Sequence, residues 1–198
     1  MSGAELMLPT DPVPEIMPVE PDWTGYLKTW TGFEFFTRPA VAGDEKELGR
    51  FFDNVVPEDL RFRFLSSVCH VAPDQIRAMT NYDHRTTENF LAYDKDRTMV
   101  IASAMLAADP MLETAEVAIA ILPGYKNLGA SWTLLEHITR FAKARGFKRL
   151  EALESRDHHV AIQLEREMGF KAFPCPDDAG AVIVRFELAE ESASQRPG

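Results

Sequence analysis

The chain has 198 residues, of which 45% are apolar and 26% charged, and its formal net charge is −10. That length suits one domain of ordinary size with tails, able to bury a core without disulfides or metal. The composition excludes collagen-like, coiled-coil and wholly disordered chains, and the acidic balance argues against phosphate backbones and anionic lipid, so neither nucleic acid nor membrane is an expected partner. No apolar run reaches the roughly 18 residues of a membrane span. The start, Met1 to Leu6, has no basic region followed by an apolar stretch, so no leader is read there. The two cysteines, Cys69 and Cys175, form no CxxC pair. That pattern fits a reducing compartment, here the cytoplasm, and predicts neither a disulfide framework nor a metal site.

Residues 1–24 carry prolines at 9, 12, 14, 18 and 21. Proline fixes φ and lacks an N–H, so this stretch reads as an extended or disordered arm. The folded domain is expected over 25–188, with a flexible tail over 189–198. It opens with a hairpin, Tyr26–Trp30 and Phe33–Arg38 around Thr31-Gly32. Asp44 is placed to cap a helix in which Leu48, Phe51, Phe52 and Val55 recur at helical spacing. A short helix follows from Pro57 to about Leu65, and another starts near Pro73. Glu88–Tyr93 and Thr98–Met105 read as strands joined by a polar turn. Glu116–Leu122 is a nearly continuous apolar strand, expected to be covered on both faces.

Pro123-Gly124 ends that strand. A helix from about Gly129 to Arg145 carries the stripe Leu134, Leu135, Ile138, Phe141 and Ala142, and Gly146-Phe147 ends it. Leu150–Glu154 is a short strand. Asp157 is the expected cap of a last helix with Val160, Ala161, Leu164 and Met168 inward, ended by Gly169-Phe170. Phe170–Phe173 and Ala181–Leu188 read as closing strands. The sum is a mixed α/β domain with a largely antiparallel sheet.

The segment that carries chemistry is Glu116 to Leu135. A strand runs into a small-residue loop, and the loop becomes the first turn of a helix. The first N–H groups of a helix lack internal partners, and its dipole adds positive character there. Gly129, Ala130 and Ser131 let a phosphate approach those groups. Gly124 and Gly129 have the GxxxxG spacing of a Walker loop, but Ala130 stands where its lysine must be, and GxGxxG is missing.

This segment resembles the GNAT acyl-CoA N-acyltransferases. Their loop reads [Q/R]xxGx[G/A], against Lys126-Asn127-Leu128-Gly129-Ala130-Ser131 here. The glycine matches, lysine replaces Gln/Arg, and serine replaces the last Gly/Ala. Pro123-Gly-Tyr125, Leu134-Leu135, Phe141 to Phe147, and Glu167 to Phe170 extend the likeness. Thr37-Arg-Pro39, Gly43-Asp-Glu45, Leu60 to Leu65 and Ala115-Glu-Val-Ala118 resemble the bacterial lysine (protein) acetyltransferase branch. The resemblance implies a GNAT fold with helices on both faces of the sheet. It implies acetyl-CoA as acyl donor, with its diphosphate on the backbone N–H groups from Lys126 to Ser131. The pantetheine would lie along Ile119, Ala120 and Ile121 like an added strand. His158 takes the place of an asparagine that contacts pantetheine. Glu165 takes the place of the family's frequent tyrosine acid, which leaves that acid absent from its usual place.

An amine of pKa about 10.4 must lose a proton before it attacks a thioester. Glu116, on the cofactor strand, is the candidate general base, with a wet strand edge as its other reading. A strand N–H near Ile121 would receive the oxyanion. The expected acceptor is a primary amine, on a protein lysine or on a small molecule. Two other readings stay open: transfer of a different acyl group, and a non-catalytic or regulatory CoA-binding module of the same fold. Family members often dimerise, so a homodimer is a further expectation, although no stretch of the sequence marks its interface. His158 and His159 read as helix-start surface residues on the plainer view, and His137 as packing or surface. Cys69 and His70 are adjacent, which does not orient a thiol toward an imidazole.

Overall fold

The computed structural model describes residues 23–64 and 70–188. The arm expected over 1–24 (all but its last two residues), the tail over 189–198, Leu65 and Cys69 lie outside the described residues. In chain order the elements are β1 (Gly25–Lys28), β2 (Glu34–Pro39), α1 (Glu45–Asp53), α2 (Pro57–Phe64) and α3 (Pro73–Ala78). Then come β3 (Thr87–Tyr93), β4 (Val100–Ala108), β5 (Thr114–Ile121), α4 (Ala130–Ala144), β6 (Arg149–Ser155), α5 (His159–Glu167), β7 (Lys171–Pro174) and β8 (Ala181–Glu187). Among the described residues the strands form one eight-stranded sheet in the order β1-β2-β3-β4-β5-β6-β8-β7. Every neighbouring pair is antiparallel except β5–β6, which is parallel. No described helix is long and apolar enough to cross a membrane.

The alternation along β5 assigns its two faces. Ala120, with Leu122 just past the strand, packs with Leu48, Phe51, Phe52, Leu60 and Ile76 of α1–α3. Val117 packs with Leu135, Ile138 and Phe141 of α4, together with Leu150 of β6 and Val184 of β8. The predicted stripe of α4 is buried throughout. His137 on the same helix is buried between the rings of Trp23 and Phe90, so it serves packing.

Two expected caps are not made. Asp44 precedes α1, but its carboxylate accepts from Arg38 Nη1 at 2.7 Å, Arg38 Nη2 at 2.8 Å and the Val41 N–H at 2.8 Å. A bidentate guanidinium outcompetes a neutral helix N–H for the same oxygens. Asp157 lies one residue too early, and His158 holds the cap position of α5. The inward face of α5 differs as well. Val160 is 75% exposed and Glu165 is buried, so the stripe runs Ala161, Leu164, Glu165, Met168.

Candidate acyl-CoA site

The site begins where two strands part. β5 and β6 pair only at Thr114–Arg149, Ala115–Leu150 and Glu116–Glu151. Beyond that, β6 continues against β8 through Ser155, and β5 continues against β4 through Ile121. A wedge-shaped gap therefore opens past Glu116. The β5 edge over Val117–Ile121 turns backbone groups into it that no strand on that side takes up. Both faces of β5 are packed over Val117 and Ala120, as expected, but its edge past Glu116 is open, and Glu116 is exposed with Ala118 and Ile119 half-buried. Ile119, Ala120 and Ile121 thus lie along the open edge.

The gap leads to the loop before α4. Pro123–Tyr125 form a single 3₁₀ turn, with the Tyr125 N–H bonded to Leu122 O at 2.9 Å. Asn127 (φ 63°) and Gly129 (φ 81°) both adopt left-handed backbone, and α4 starts at Ala130. The Thr133 N–H bonds to Gly129 O at 3.1 Å. The N–H groups of Ala130, Ser131 and Trp132, one turn earlier, are those for which a helix offers no acceptor. These are the amides on which the sequence predicts an anion site.

Gly129 is required twice over. Its φ disfavours any Cβ, and a Cβ there would stand 2.9 Å from Trp30 Nε1 and 3.1 Å from Thr29 Cβ. The Thr31 hydroxyl donates to Leu128 O at 2.7 Å, so the turn of the β1–β2 hairpin braces the loop. Lys126 is more engaged than expected. Its N–H bonds weakly to Pro123 O at 3.4 Å, and its Nζ donates to Asp59 Oδ1 on α2 at 2.8 Å. The free amides of the loop therefore start at Asn127.

A profile of the acetyltransferase (GNAT) family matches residues 58–170, more than half of the chain. The chain belongs to this family. An acetyltransferase of Pseudomonas aeruginosa is 24% identical over 159 residues, covering 79% of this chain and 86% of the relative. The fold is similar to the GNAT domain of PAT from S. lividans, with TM-score 0.78 at 21% identity, over 86% of this chain and 99% of that one. It is also similar to a spermidine N-acetyltransferase from Vibrio cholerae solved with CoA and spermine, with TM-score 0.61 at 16% identity, over 76% of this chain and 92% of that one. Acetyl-CoA is the donor of this GNAT domain. The loop amides and the open β5 edge fit its diphosphate and pantetheine.

Arg63 and Glu154, which the sequence reading passed over, interact with charged groups that it named in this GNAT domain. Arg63 on α2 has its Nε buried without a hydrogen-bond partner. Burial lowers its pKa to about 10, while Glu116 on β5 and Glu154 on β6 hold it up. One guanidinium thus feels carboxylates on both walls. Glu154 Oε2 is 2.7 Å from Nδ1 of His158, which is half-buried rather than a surface residue. Glu165 on α5 is buried with Oε2 unpartnered, and burial, then the charge of Glu154, pushes its pKa up to about 9. The sequence held one signal for this. A carboxylate at 165 stands four residues after Ala161 and three before Met168, inside the apolar stripe of α5. Nothing in the spacing of Arg63, Glu116 and Glu154 announces that they meet.

Proposed function

We propose that this GNAT domain moves the acetyl group of acetyl-CoA to a primary amine, on a protein lysine or a small molecule, by direct attack on the thioester. The gap that opens past Glu116–Glu151 toward the Asn127–Ser131 loop carries the reading. In it the diphosphate rests on the amides from Asn127 to Ser131, and Lys126 exchanges Asp59 for a phosphate. The pantetheine extends along Ile119, Ala120 and Ile121 as an added strand, and His158 borders it from α5. The thioester then lies toward the closed end of the wedge, where Glu116 is open to solvent and to an arriving amine. Glu116 takes the ammonium proton directly or through water, which frees the nitrogen lone pair for attack. A strand amide on the open edge of β5, on the Glu116 side of the pantetheine, stabilises the oxyanion in place of the one expected near Ile121.

Two variants test this. Gly129→Ala strains the loop and drives a Cβ into Trp30, so it weakens acetyl-CoA binding in a calorimetric titration by about tenfold or more. Glu116→Gln keeps that affinity and lowers kcat by about 10²–10⁴-fold in a screen of amines and lysine peptides. Wild-type binding with no turnover of any amine, matched by Glu116→Gln, would make the chain a CoA-binding module instead.

A further inference from the structure

The loop before α4 is tied to a helix on the opposite face of the sheet. Lys126 Nζ straddles the Asp59 carboxylate of α2, 67 residues earlier in the chain. It donates to Oδ1 at 2.8 Å and lies 2.6 Å from Oδ2, which is buried and takes no hydrogen bond. The carboxylate is the more enclosed partner, with its side chain 15% exposed against 42% for the lysine. Such a pair is costly to break from one side, because the enclosed carboxylate is left without a counter-charge. Leu60 and Phe64 anchor α2 in the apolar core, while Asp59 ties its first turn to the loop. The helix also lies against both β5 and β6, the two strands that part past Glu116. Four residues after Asp59, on the same face of α2, stands Arg63, whose Nε is buried and unpartnered.

We propose that Asp59 is an internal anion that competes with the donor's diphosphate for Lys126, so that filling the donor site unties the first turn of α2. This rests on the reading above, in which the diphosphate lies on the amides of residues 127–131. Lys126 immediately precedes those amides, so the ammonium that Asp59 holds is the one an arriving diphosphate meets. The diphosphate carries more charge than a carboxylate, and the start of α4 already draws it in. Two anions sharing one ammonium repel each other, and the carboxylate is the one displaced. Arg63, one turn along α2, is the second cation that the displaced carboxylate meets. Because the pair must open first, its closed fraction raises the apparent Kd of the donor. Linkage runs both ways, so whatever loosens the first turn of α2 tightens donor binding. Asp59 thus sets donor affinity from outside the loop and reports donor occupancy to a helix that touches both strands flanking the gap.

Hydrogen exchange of the wild type tests this without any variant. Acetyl-CoA, and inorganic pyrophosphate as the anion alone, should slow exchange at the amides of residues 127–131 and speed it at those of residues 60–64. Calorimetry with acetyl-CoA then compares variants. Asp59→Asn keeps the size of the side chain without its charge and should lower the Kd about three- to tenfold, whereas Lys126→Met should raise it about tenfold. In the Lys126→Met background Asp59→Asn should change nothing, because the ammonium it competes for is gone. In Asp59→Asn alone, the amides of residues 60–64 should exchange fast from the start and ignore the donor. A Kd raised by Asp59→Asn overturns the proposal, since Asp59 would then aim Lys126 at the phosphate. So does an unchanged Kd in either single variant, or a gain that persists without the lysine. Wild-type α2 amides that slow or stay the same on donor binding overturn it as well, and that result needs no variant to fold. Failure of the donor-site reading looks different. Acetyl-CoA then leaves residues 127–131 unprotected and binds Gly129→Ala as tightly as wild type, whatever α2 does.

Discussion

The two halves of the sheet meet the same problem and answer it differently. In the closed half, Arg38 is half-buried and fully engaged. It grips Asp44 at 2.7 and 2.8 Å and donates to the Tyr93 hydroxyl at 2.6 Å, and that hydroxyl donates to Glu47 at 3.1 Å. Glu88 is 1% exposed, and it accepts from Tyr82 at 2.8 Å and sits 3.1 Å from His84 Nδ1. In the split half, Arg63 Nε and Glu165 Oε2 are buried with no partner. One guanidinium and one carboxyl are satisfied by the protein's own atoms, and the other pair each keeps a buried atom that is not. Unpaired buried groups are expensive.

The sharpest way to break that comparison is Arg38→Met. It strands the buried Asp44 carboxylate, so unfolding stability in urea should fall by about 3–5 kcal/mol. Acid should act through His137 on α4, whose ring nitrogens are buried without a partner and whose pKa burial, and then Arg140, lowers to about 4. Its unfolded value is about 6.5, so the unfolded chain binds the extra proton between those limits. Stability should then drop by on the order of 3 kcal/mol as pH falls from about 6.5 to 4, and His137→Gln should flatten that slope. Alkali should act on the split half with the opposite sign. Folded Glu165 holds its proton to about pH 9 and the unfolded chain loses it near 4.3. The folded state is then the one that binds the extra proton, so stability declines as pH rises through that window. Glu165→Gln should remove the decline and raise Tm at pH 8. The smallest effect belongs to Arg63→Met, which breaks no ion pair and should stay within about 1 kcal/mol of wild type. A loss as large as that of Arg38→Met would erase the contrast between the halves.

What the sequence made legible was local. Strand, loop and helix from Glu116 to Arg145 follow from periodicity, from a proline that ends the strand and from a glycine at positive φ, and all sit within one stretch of chain. The glycines at 146 and 169 end their helices at φ 81° and 97°, as their positions predict. The errors came where a side chain had a distant alternative. Asp44 had the look of a cap until Arg38 supplied a better donor. Lys126 read as the first residue of the diphosphate loop until α2 brought Asp59 to its side chain across 67 residues of sequence. Val160 outranks Glu165 on any hydrophobic scale, yet the rotation of α5 buries the acid and exposes the valine. That rotation is set by tertiary packing, which pattern alone does not encode.

The brace between hairpin and loop has an optical consequence. Trp30 is 81% exposed, yet its indole nitrogen lies against Gly129 at the threshold of the donor site. Trp23, by contrast, is packed edge-on to His137 and Phe141. Trp132, half-buried in the first turn of α4, is the third, so two of the chain's three indoles lie where their emission senses the charge of an arriving diphosphate and one is shielded from it. Filling of the donor site can be followed by light, without a label and without knowing the acceptor.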